Sequence, residues 1–206
     1  MADTKISALS AATFPQNADL FVVCTSGLAD VSETFPQVIN YACCRQHAAN
    51  TLTTSTANVK IFNATTNGAV TLPIGAYLFD SVFSISVMTG TSGNCIFDLK
   101  GAGNATLAGI LYICEGADVA IATAGAGGFS GAVQSASAAS MIPAATGTGL
   151  QVRVAGSFEV TVAGTIIPSV GMVTGVSTAP SVAIGSFFRV WPMGPAATTV
   201  SVGNWS

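Results

Sequence analysis

Charge is what this sequence has least of. Asp, Glu, Lys and Arg together make up 7% of the chain, against about 25% in an average soluble domain, while apolar residues hold 50%. A lone monomer with that inventory would present a weakly charged, adhesive surface to water. Two settings tolerate it: a bilayer, or an assembly in which neighbours cover much of the surface. A bilayer span needs about 20 consecutive apolar residues, and such a run is missing too. The charge-free stretches 119–152 and 160–188 are rich in Gly, Ala, Ser and Thr and are broken by Gln134, Pro143, Gln151, Pro168 and Pro180. Met1-Ala2-Asp3-Thr4-Lys5 runs directly into mixed residues, with no basic segment leading into an apolar one. The expectation is a protein made and kept in the cytoplasm until it assembles, with no membrane partner.

The other scarcities exclude further classes. The six basic residues, Lys5, Arg45, Lys60, Lys100, Arg153 and Arg189, are dispersed along a chain of formal net charge −3, so no stripe can track a phosphate backbone and no nucleic-acid partner is expected. Five cysteines, an odd number without a secretion signal, read as buried free thiols in preference to a disulfide framework. His47 is the only histidine, so any Ser-His-Asp or Cys-His device would have to use it. Cys43-Cys44-Arg45-Gln46-His47 brings thiols close to it, but a structural zinc needs about four ligands in paired spacing and no second pair stands nearby. Glycan hydrolysis needs two carboxylates about 5–10 Å apart. Only Glu115 and Asp118 are close in sequence, and Glu115-Gly116-Ala117-Asp118 reads as a solvated turn between strands. Gly125-Ala126-Gly127-Gly128-Phe129-Ser130-Gly131 lacks both the Gly-Lys-Ser/Thr of a phosphate loop and the Gly-x-Ser-x-Gly register of a nucleophile elbow. No catalytic, cofactor-binding or metal-ligating residue is expected, and the chain reads as non-enzymatic.

What is present is a period of two. Leu20-Phe21-Val22-Val23-Cys24 is a short apolar run closed by Thr25-Ser26-Gly27; Glu33 to Asn50 has weak helical character, with Phe35 to Tyr41 readable as one turn or as a strand. From Asn58 onward short apolar alternations follow one another, among them Leu78 to Val87 with Phe83, Ile85 and Val87 on one face. Ala122 to Thr148 is low-complexity Gly/Ala/Ser, a long loop or a strand pair with closely approaching backbones. Val152 to Val154, Phe158 to Val162, Gly164 to Pro168, Val182 to Ile184 and Phe187 to Pro192 are strand-length units at turn-bounded spacing. Many short strands, little helix and 22 glycines predict an all-β fold, an antiparallel jelly-roll-like β-sandwich over residues 51–206. Residues 1–50 read as an extended arm and linker. An arm of small residues cannot offset about 1–2 kcal/mol of backbone entropy per residue by its own burial, so a partner must pin it. Phe187, Phe188 and Trp191 put apolar groups on both faces of one late strand, as suits a sheet covered on both sides.

The two ends carry a resemblance. Lys5-Ile6-Ser7-Ala8-Leu9-Ser10-Ala11-Ala12-Thr13, followed by Asp19-Leu20-Phe21-Val22-Val23, resembles the K-I-S-A-L-P-A-A-T opening of many tailed-bacteriophage virion proteins, departing from it where Ser10 stands in place of Pro. Gly164 to Pro168, Gly185 to Val190, Pro192-Met193-Gly194 and Val202-Gly203-Asn204-Trp205-Ser206 resemble the end of a jelly-roll-like module of phage structural and fibre proteins. The resemblance implies a virion protein, most simply a homotrimeric capsid decoration (cement) protein held by the major capsid protein or other virion proteins. The alternative is a tail- or head-fibre protein presenting loops to a host glycan. Lys5, Ile6, Leu9, Phe14, Leu20 and Phe21 would form the docking arm, and Phe188, Trp191 and Trp205 are candidates for the subunit interface.

Overall fold

The computed structural model describes residues 20–23, 31–34, 42–63, 65–86, 95–118, 128–142 and 149–199. The chain divides into two compact units, Met1–Tyr41 and Ala42–Ser206. In the first, β1 (Leu20–Val23) pairs antiparallel with β2 (Val31–Thr34), matching Leu20 with Thr34 and Val23 with Val31. Leu20 and Phe21 thus belong to a hairpin. Lys5, Ile6, Leu9, Phe14, Cys24, Val87 and Trp205 lie outside the described residues.

The second unit is all-β and antiparallel. Its early strands are β3 (Ala42–Arg45), β4 (Asn50–Thr51), β5 (Val59–Lys60) and β6 (Val70–Leu72), followed by the long β7 (Gly75–Ser86) and β8 (Cys95–Asp98). Next come β9 (Thr106–Asp118), β10 (Gly128–Gln134), β11 (Ala138–Ile142) and β12 (Gly149–Val162), then β13 (Gly164–Ile166), β14 (Ser169–Met172), β15 (Ser181–Val182) and β16 (Phe187–Gly194). An eight-stranded sheet runs β10-β9-β12-β7 and continues from β7 to β15-β4 at one end and to β16-β3 at the other. A four-stranded sheet, β11-β8-β14-β5, and a two-stranded one, β13-β6, complete the sandwich-like arrangement.

Several local readings change. The stretch weakly suggestive of helix contributes strands β2, β3 and β4, so the paired framework of the second unit begins at Ala42. The low-complexity stretch contributes β10 and β11, which pair with β9 and β8 and not with each other. Glu115 and Asp118 are strand residues of β9, not turn acids.

Alternation decides which side chains meet. Along β7, Tyr77, Phe79, Phe83 and Ile85 face inward and are buried; Val152, Val154, Phe158 and Val160 of β12 do the same. Phe79 is the junction of the core. Its ring lies 6.0 Å from Tyr112, 5.8 Å from Phe158 and 5.9 Å from Phe188, while Tyr112 meets Phe97 of β8 at 5.7 Å and Phe97 meets Phe83 at 6.1 Å. These contacts carry the core from the large sheet into the four-stranded one. Two polar groups drawn inside find partners there: the Ser81 hydroxyl donates to the Phe187 carbonyl at 2.8 Å and the Tyr77 hydroxyl to that of Pro73 at 2.8 Å. Gly156 opposes Phe79 on one side and Tyr112 on the other. A Cβ there would run into the Leu111 carbonyl oxygen and the Tyr112 Cα, so close backbone approach requires glycine. Gly109, at φ 54°, seats the bulge at which β9 shifts register against β12.

The buried thiols make stability depend on alkaline pH. Burial pushes Cys114 up to about 12, helped by the Glu115 carboxylate. Burial also raises Cys95, with Cys114 adding to it, and raises the Tyr112 phenol, with Asp98 and Cys114 adding to it. The unfolded chain releases these thiol protons near pH 8.5 while the folded chain holds them. The contribution is therefore complete below about pH 8.5 and drains away as pH rises toward 12, at about 1.4 kcal/mol per pH unit for each group. Urea unfolding should show a lower midpoint at about pH 10 than at about pH 7.5; an unchanged midpoint would contradict thiols sealed in the core.

Candidate functional site

One feature of the second unit that its own packing does not absorb is the outer face of the large sheet. Strand registers arrange it in rows. One row reads Glu115, Arg153, Val82, Phe187, Arg45 across β9, β12, β7, β16 and β3. The next reads Ile113, Ala155, Asp80, Arg189, Cys43, and a third Leu111, Ser157, Leu78, Trp191.

Asp80 is the hub. It lies on the outward side of β7, yet its side chain is only 9% exposed because a guanidinium covers it from each neighbouring strand. Arg189 donates Nε and Nη2 to Oδ2 at 3.1 and 2.7 Å, and Arg153 donates Nε to Oδ1 at 3.3 Å. Arg153 also lies 4.0 Å from Glu115 Oε2. The Arg189 guanidinium is flanked by the Phe187 and Trp191 rings at 5.6 and 5.5 Å, cation–π contacts that hold it flat. Glu115, Arg153, Asp80 and Arg189 alternate in sign across four strands and sum to zero, and Arg45 on β3 adds one positive charge to the face. Leu111 and Ile113 stand 55% and 45% exposed on β9. A shallow trough of about 340 Å³ lies beside Val82, Glu115, Gly116, Gln151 and Arg153.

No protein-family model, curated protein or solved structure matches this chain. The geometry is thus the guide to function. Both Asp80 oxygens accept guanidinium hydrogen bonds, so this carboxylate is built into the surface. Glu115 projects toward Arg153. The arrangement offers a face whose central ions pair with one another, with exposed Glu115 on β9 and exposed Arg45 on β3 in one row that Ser130 of β10 continues. Such a face suits contact with another surface more than chemistry on a small molecule.

The expected interface aromatics separate here. Trp191 lies on this face, half-buried against Arg189. Phe188 does not: it points inward, 3% exposed, with its ring 6.3 Å from Phe62 and 5.9 Å from Phe79. The alternation that turns Phe187 and Trp191 outward necessarily buries the residue next to Phe187. The thiols divide likewise, Cys95 and Cys114 buried and Cys43 exposed on the outer face, opposite Arg189. His47 is exposed. Among the described residues no three His, Cys, Asp or Glu side chains converge as metal ligands, and no helix is long and apolar enough to cross a membrane.

Proposed function

We propose that this chain is a non-enzymatic structural protein of a bacteriophage virion, a homotrimeric decoration protein that assembles in the host cytoplasm and cements the major capsid protein shell. The observation that carries the reading is the outer sheet face: in a chain with so little charge, its Glu115, Arg153, Asp80 and Arg189 pair with one another while Leu111 and Ile113 remain exposed. A surface of that kind is stabilised by burial against a neighbour. The KISAL-type opening and the GNWS ending, both resembling phage virion proteins, supply the kind of neighbour. A standard contact removes about 800 Å² per partner, and repetition around a symmetry axis multiplies it. In this reading the arm, Lys5 to Phe21, docks on the particle, as an added strand or a clamp.

Deleting residues 2–14 should leave a folded, still-associated protein that no longer co-sediments with particles, reducing bound protein at least about tenfold, the equivalent of 1.4 kcal/mol. Undiminished co-sedimentation would overturn the docking role. The trough beside Glu115, Gln151 and Arg153 favours one alternative, a fibre protein that holds a host glycan. Copy number separates the two, since a cement protein approaches the abundance of the major capsid protein and a fibre does not.

A further inference from the structure

We infer that the outer face of the large sheet pairs with the same face of a second copy of this chain, about a two-fold axis lying along β7. The inference rests on strand register and not on the virion reading.

The rows are self-complementary under one operation. A half-turn about an axis in the plane of the face and parallel to β7 lays the β9-to-β3 part of each row on its own reverse, while β10, which sets Ser130 beside Glu115, extends past the partner copy's β3. The row Glu115, Arg153, Val82, Phe187, Arg45 then places Glu115 over the partner copy's β3 position and Arg45 over its β9 position, giving two acid–base contacts from one pair of residues. Arg153, 55% exposed, falls over the Phe187 position, a cation–π partner. In the next row Ile113 falls over the exposed Cys43 position, and Ala155 over Arg189. In the third, Ser157 falls over Trp191 and Leu78 meets its own copy at the axis. The like-charged residue that the axis brings onto itself is Asp80, and it is sunk and covered by its two guanidiniums.

Sliding the copies apart by one strand sets Glu115 against Phe187 and forfeits both acid–base contacts, so charge as well as shape fixes the register. Five strands about 4.8 Å apart and three rows about 6.8 Å apart cover roughly 24 Å by 20 Å, on the order of 500 Å² before side-chain relief, which raises it toward the ~800 Å² per partner of a standard contact. Joined to the three-fold contact of the proposed trimer elsewhere on the chain, this pairing makes the assembly hexameric.

Sedimentation equilibrium of the purified full-length chain tests the pairing. The wild type should have a mass that is an even multiple of the chain mass, halved by Ile113→Glu. Glu115→Arg and Arg45→Glu should each weaken self-association at least tenfold, and the double variant should recover most of that loss, because the reversed charges meet again. Circular dichroism melts of each variant establish that it is folded. A wild type that stays monomeric at all concentrations, or that forms only an odd-numbered assembly, would overturn the inference. So would a double variant no better associated than the single ones. Particle binding by an unpaired chain would sink this contact and leave the virion reading standing.

Discussion

Phe79→Ala should destabilise the second unit by about 3–5 kcal/mol, the range for removing a large aromatic from a packed core. For a protein of this size that is a drop in melting temperature of roughly 10 °C. The cost should fall at the upper end because of position as much as area. Phe79 is 2% exposed and touches rings from three other strands: Tyr112 of β9, Phe158 of β12 and Phe188 of β16. Those strands are hydrogen-bonded into one sheet, so they cannot collapse inward to fill the void. Phe79→Leu, which keeps most of the volume, should lose far less. Thermal or urea unfolding followed by circular dichroism measures both; equal midpoints for the alanine variant and the wild type would show that this cluster is not the centre of the core.

The second large effect lies on the outer face. Asp80→Ala removes the carboxylate that accepts from two guanidiniums, leaving Arg153 and Arg189 facing each other across β7. Breaking a fully buried ion cluster costs about 3–5 kcal/mol. Here the guanidiniums are 55% and 45% exposed, so water takes up part of the loss and the expected cost is about 1–3 kcal/mol. Salt identifies the cause. Near 1 M ionic strength the Debye length shrinks to about 3 Å, so repulsion between the arginines is screened and the penalty should shrink. A penalty independent of salt would point to lost packing. The same change should disturb self-association, because Arg189 loses the anchor that holds it between Phe187 and Trp191.

The all-β class was legible because alternation is local. Val152-Arg153-Val154 and Phe188-Arg189-Val190 each place an arginine between two inward apolar residues, and Phe79-Asp80-Ser81 places an aspartate on the outward side of β7. The sequence therefore shows three charges leaving the core. It does not show that they meet, because the hydrogen bonds join residues 73 and 109 positions apart and only the β12-β7-β16 register aligns them. Glu115 to Asp118 reads as a turn because Gly116 occupies an inward position where a strand would usually show an apolar side chain. Gly128 to Gln134 carries too few large side chains to display a period, yet it gains its place through backbone pairing with β9. Phe187 and Phe188 are adjacent aromatics, and alternation demands that one be inside without saying which.

The central claim, that this chain is a surface component of a virion shell, is tested most directly by electron micrographs of purified particles labelled with an antibody raised against the chain. The account predicts label spread regularly over the capsid. Label confined to the tail would contradict the decoration role, and particles free of label would contradict the virion assignment altogether.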